Sequence, residues 1–169
     1  MIYFIALIVL SLSVFLDQYT KYLAATHLKS QTIPIIEDVF ELDYLENTGA
    51  AFGLLKNQQL LFLAVGIIAL TLITYIYIRL PKQTHFVPLR ICMIFITAGA
   101  IGNMIDRIRF GYVVDFLSFV LIHFPVFNVA DIYATLATVG LIVLFLFYYK
   151  DTDIDYIFAL FSKKKTEQE

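Results

Sequence analysis

Four apolar stretches constrain this chain more than anything else in it: about 2–25, 60–80, 87–105 and 126–149. Each is close to the roughly 20 residues a helix needs to cross a bilayer. Barrel strands would instead alternate polar and apolar residues. Of the 169 residues, 60% are hydrophobic and 15% charged, against about 45–50% and about 25% in soluble domains. A water-soluble monomer of this size could not hide that much apolar surface. The expectation is a membrane all-α fold with four transmembrane helices, forming a single integral membrane domain over 1–169. A net charge of −2 leaves no basic footprint for nucleic acid. The lone Cys92 excludes a disulfide framework and a multi-thiolate metal site.

The first stretch reads as a retained span rather than a cleaved leader. It has no Lys or Arg ahead of its apolar run, and Asp17 and Lys21 precede the small Ala24-Ala25 pair. Orientation follows the Lys/Arg bias of short loops. Arg79, Lys82 and Arg90 cluster around the connection of spans two and three, and Lys150 and Lys163-Lys164-Lys165 lie in the tail 150–169. This bias puts both termini in the cytoplasm. The loops 27–59 and 107–125 then face outward.

The outer loop 32–55 is rich in β-formers and alternates with period two from Phe40 to Tyr44, which argues for a strand. Gly49 and Gly53 flank an expected turn. A small sheet on the membrane surface follows. In the tail, Ile154, Ile157, Phe158 and Phe161 share one helical face, so two readings stand level: an interfacial helix or a solvated end.

Ionisable groups at membrane depth are costly and point to function. Here Asp17, Lys21, Asp106, Arg107, Asp115 and Asp131 all fall near the outer ends of the spans or just beyond. Asp17 and Lys21 are spaced i,i+4 and can form an ion pair at a helix end, with Lys21 snorkelling to the headgroups. Asn103 is a buried amide that needs partners. The small residues Ala98, Gly99, Ala100 and Gly102 before it let helices approach closely, so the third span packs centrally. Asn128 can cap the fourth helix, with Asp131 at its N3 position near the positive end of the dipole. Two carboxylates in one layer can share a proton, one acting as base and the other as acid. That is the chemistry of a water-activating aspartyl hydrolase. No Ser–His–acid set occupies this layer, and the HExxH spacing is absent. A metal on Asp115 and Asp131 lacks supporting imidazoles, and Cys92 reads as an inert thiol.

Five segments carry a resemblance. Asp17-Gln18-Tyr19-Thr20-Lys21, Asn47-Thr48-Gly49-Ala50-Ala51-Phe52, Gly99 to Arg107, Val113-Val114-Asp115-Phe116 and Phe127-Asn128-Val129-Ala130-Asp131 resemble, in order, the five motifs of bacterial lipoprotein signal peptidase (signal peptidase II). The resemblance covers about 2–150. It implies four transmembrane helices with a small extracytoplasmic β-cradle. It also implies an aspartyl endopeptidase of the inner membrane, using no metal or other cofactor; the chain is expected to act as a monomer. The implied substrates are diacylglyceryl-modified prolipoproteins, met among membrane lipid and cut just before the lipidated cysteine. Asp115 and Asp131 become the catalytic pair. Asn47, Gly49, Asn103, Arg107, Asn128 and Ala130 become substrate-binding or dyad-supporting residues, with Ala130 leaving room beside Asp131. Asp17, Lys21 and Asp106 become structural polar residues. Two departures stand out. Ala98 replaces the first of two glycines, and the connection from Asp115 to Asp131 is short and apolar, suggesting a loop that dips into lipid.

Two other readings compete. An ion carrier would place charges at several depths, whereas spans two and four have none at their centres. A scaffold would not need two aspartates and three asparagines at one level.

Overall fold

A computed structural model describes residues 1–49 and 58–160. Its order is α1 (Ile2–His27), β1 (Ile33–Ile36), β2 (Phe40–Asn47), α2 (Gln59–Arg79), α3 (Val87–Phe110), β3 (Val113–Phe119), α4 (Val129–Val143) and α5 (Asp151–Ala159). A 3₁₀ turn, Thr84–Phe86, leads into α3, and a π-helical turn, Leu144–Tyr148, extends α4. With these extensions, α1 to α4 are each long and apolar enough to span a membrane.

α3 forms the centre. Leu89, Arg90, Met93, Ala98, Gly99, Gly102 and Asp106 on it are buried, whereas α2 has no buried residue. In a bilayer the exposed face of α2 meets lipid, which is as apolar as a protein core. The small residues of α3 set the packing distance. A Cβ on Gly99 would stand 2.5 Å from the Ala130 carbonyl of α4. A Cβ on Gly102 would strike the Asp17 carboxylate of α1 and come within 3.3 Å of the Ala130 Cβ. The room that Ala130 leaves is therefore taken by α3. Here α3 and α4 meet at backbone distance and the Asp17 side chain of α1 fills the space beside Gly102, with the polar side chains of all three helices concentrated at that end.

α3 runs five residues beyond the expected 105. It stops at Gly111, whose φ of +80° supplies the left-handed cap, and whose N–H donates to the Arg107 carbonyl. At the other end, Arg90 is not a loop cation. It is 2% exposed, donates to the carbonyls of Tyr77 and Leu80, and stacks over the Tyr77 ring. It satisfies the carbonyls left open at the end of α2. α5 docks nearby, with Ile157 and Ile154 packed on Leu80, Phe86, Leu89, Met93 and Tyr149. Phe158 is exposed. Phe161 and the three tail lysines lie outside the described residues.

The sheet has the order β1-β2-β3, antiparallel throughout. β2 covers the stretch whose alternation announced it. β3 falls where a lipid-dipping loop was expected. Val113–Phe119 has buried residues on both faces, so it lacks the polar alternation that marks a half-buried strand. Val114 and Phe116 pack on Ala24 of α1 and on Leu28 just beyond it, while Val113 and Asp115 face a pocket on the other side. Only the turn beyond the strand is strongly exposed, at Leu121, Ile122 and Phe124. The chain then returns along β3. The Phe127 carbonyl accepts from the Phe116 and Leu117 amides, and its N–H donates to the Leu117 carbonyl. This bridge delays α4 to Val129, three residues after the expected start, and sets Asn128 beside Asp115.

Candidate active site

Asn128 opens α4 with an extended backbone and closes a capping box. Its Oδ1 accepts from the Asp131 N–H at 3.1 Å, and Asp131 Oδ2 accepts from the Asn128 N–H at 3.1 Å. The box fixes the Asp131 rotamer and leaves its Oδ1 to accept from Asn103 Nδ2 at 2.8 Å. Two N–H donors and the helix N-terminus thus surround the Asp131 carboxylate.

Asp115 enters from β3 and is 1% exposed. Asn128 Nδ2 donates to its Oδ1 at 2.6 Å and Asn47 Nδ2 to its Oδ2 at 2.7 Å. The Asn47 amide is itself oriented, because its Oδ1 accepts from the Gly49 N–H at 2.9 Å. Burial pushes the Asp115 carboxyl up to about 7. The Asn47 and Asn128 donors and the Lys21 charge pull it back, while the Asp131 charge pushes it further up. Asn128 thus touches both aspartates, through its backbone and side chain, and a strand and a helix hold the two carboxyls in one pocket.

The pocket has a volume of about 580 Å³. Asn47, Gly49, Asn103, Arg107, Asp115 and Asp131 form its polar end, and Phe124, Val126, Phe127, Ile132 and Leu136 its apolar wall. Arg107 stacks over Phe62 at 4.6 Å and reaches the carbonyls of Gly49 and Asn103 at 3.4 and 3.3 Å. Its Nε is buried and has no partner among the described residues.

Beneath the pocket lies a second polar layer. Lys21 is 3% exposed, so it does not snorkel. It pairs with Asp17 at 3.0 Å and Asp106 at 3.1 Å, and donates to Asn103 Oδ1 at 2.9 Å. Helix packing places its stem against protein, leaving no path to the headgroups. Asp17 also accepts from the Ala130 N–H, and Asp106 from the Val114 N–H on β3. Gln18 went unweighed in the sequence, though it lies inside the first motif. Its Nε2 contacts Asp17, Asp106 and the Gly102 carbonyl. Its position one residue after Asp17 was the available signal. All the expected site residues thus fall in one connected cluster. Ala50, Ala51, Phe52 and the turn at Gly53 lie outside the described residues.

A family model described as signal peptidase (SPase) II matches residues 8–147. The lipoprotein signal peptidase of Caldanaerobacter subterraneus subsp. tengcongensis is 44% identical over 141 residues, covering 82% of this chain and 92% of that protein. The lipoprotein signal peptidase of Brevibacillus brevis is 43% identical over 146 residues, covering 86% and 93%. A bacterial membrane enzyme solved by the in meso method at 2.3 Å superposes with a TM-score of 0.77 at 29% identity, covering 97% of this chain and 94% of that one.

Proposed function

We propose, from the premise that this chain belongs to the signal peptidase II family, that Asp115 and Asp131 are its catalytic pair. The enzyme is a membrane aspartic endopeptidase that removes signal peptides from prolipoproteins. The observation that carries the site assignment is the joining of the two carboxylates through Asn128 at the polar end of a pocket with an apolar wall.

The environments divide the labour. Asp131, with two N–H donors at a helix N-terminus, is the ionised base. Asp115, buried and raised to about 7, holds the pair's proton. Asp131 takes a proton from water as the oxygen attacks the scissile carbonyl. Asp115 gives its proton to the carbonyl oxygen, forming a neutral tetrahedral diol. As the diol collapses, Asp131 passes its proton to the departing nitrogen and Asp115 recovers one from a diol hydroxyl. The C–N bond breaks to a carboxyl and an amine. Arg107 lines the pocket, and its guanidinium would hold a substrate carbonyl freed when the signal-peptide helix unwinds. Asn47, Asn103 and Asn128 hold the carboxyls in place.

The substrate is the diacylglyceryl-modified form, cut just before the lipidated cysteine. The apolar wall through Ile132 and Leu136 suits the neighbourhood of its acyl chains. The Lys/Arg bias puts both termini in the cytoplasm and the pocket on the extracytoplasmic side. Purified protein in detergent should cleave a diacylglyceryl-modified prolipoprotein at least about tenfold faster than its unlipidated precursor, since two acyl chains add about 0.8 kcal/mol per buried methylene. Equal rates on a gel-shift assay would overturn the lipid assignment.

A further inference from the structure

Lys21 takes no part in the proton transfers above, yet it is buried and directs all three ammonium hydrogens at oxygens of Asp17, Asp106 and Asn103. An ion pair that only tied α1 to α3 would need the two carboxylates alone. The third bond goes to the amide that donates to Asp131.

We propose that Lys21 is a positioning residue for the catalytic base, acting through Asn103: its ammonium fixes which end of that amide faces Asp131. The inference rests on the assignment of Asp115 and Asp131 above. The two ends of an asparagine amide are nearly the same shape, and only their partners set the orientation. Asn103 Oδ1 meets Lys21 Nζ at 2.9 Å and Asn128 Nδ2 at 3.1 Å, which leaves Nδ2 toward Asp131 at 2.8 Å. A flipped amide would set N–H against the ammonium and an oxygen against the Asp131 carboxylate. Asn128 Nδ2 is shared with Asp115 at 2.6 Å, and a charged donor outweighs a neutral one. The ammonium therefore decides. Without it, Asp131 keeps its capping-box bonds through Oδ2 but loses a steady donor on Oδ1, the oxygen that is left to meet water.

The test separates this role from burial of charge. Lys21→Met alone would strand two carboxylates and lose the fold, so it is combined with Asp17→Asn or with Asp106→Asn. Each double variant removes one positive and one negative charge, leaving the buried balance unchanged. Thermal unfolding in detergent, kcat and KM on a lipidated prolipoprotein are compared with wild type and with the single Asp→Asn variants. The expected result is at least one double variant that folds, with KM within about threefold and kcat lower by about ten- to hundredfold, the scale of a misplaced catalytic group; loss of the fold in both would make Lys21 a structural residue and overturn the proposal. A folded double variant with the kcat of its single Asp→Asn parent overturns the proposal. Asp115→Asn and Asp131→Asn run alongside. Activity in those would remove the dyad itself, whereas their inactivity beside fully active double variants would remove only the role of Lys21.

Discussion

Asn in place of Asp115, or of Asp131, is expected to lower kcat on a lipidated prolipoprotein by about 10³-fold or more while the protein stays folded. Either change removes a proton carrier from a step that needs both. Combining the two should cost little more than one alone, because the residues act as a unit. Stability should move differently. The Asp115 carboxyl is raised in the fold to about 7, so the stability tied to its proton is full below the ordinary carboxylate range and is lost as pH rises through about 7. Asp115→Asn escapes that loss. Its amide meets an Asn47 or Asn128 donor with an N–H, which costs stability at every pH, so the expected signature is a melting temperature that changes less than wild type's between pH 5 and pH 8. Asp131→Asn weakens a capping box and should cost about 1 kcal/mol. Residual cleavage above about 1% in either variant would count against the pair.

The largest structural loss is expected at Asp106. Its carboxylate is 1% exposed and joins three elements, accepting from Lys21 on α1, from Gln18 on α1 and from the Val114 N–H on β3. Asp106→Ala leaves an ammonium and two N–H groups without that partner at once. Breaking a buried pair of this kind costs about 3–5 kcal/mol, which should appear as a marked fall in melting temperature in detergent. Asp106→Asn keeps one acceptor oxygen and should lose less. Because Val114 adjoins Asp115, the alanine variant should also lose activity below its melting temperature. A wild-type melting curve for Asp106→Ala would mean that the second polar layer does not hold the bundle together.

Much of this was legible from the sequence because a bilayer imposes strong demands. Spans need long apolar runs, and buried charges need partners. Asn128 three residues before Asp131 announced a cap, and the structure closes it into a capping box. β3 was hidden because both of its faces are covered, one by α1 and one by the pocket. Lys21 was misread because hydropathy cannot tell lipid from a neighbouring helix, and a snorkelling lysine and an inward one look alike in sequence. The end of α3 was within reach, since Gly111 follows Arg107 and Arg109 as a left-handed cap would. The seat of Arg90 was not, because its partners are backbone carbonyls of the preceding helix.

The central claim is that two aspartates share one proton across a bound peptide. The most direct measurement is kcat/KM of the wild-type protein on a lipidated prolipoprotein from pH 5 to 9. With Asp115 holding the proton, the rate is expected to fall about tenfold per unit as pH rises above about 7. A rate that climbs through this range, as deprotonation of a lone nucleophile would produce, would contradict the account.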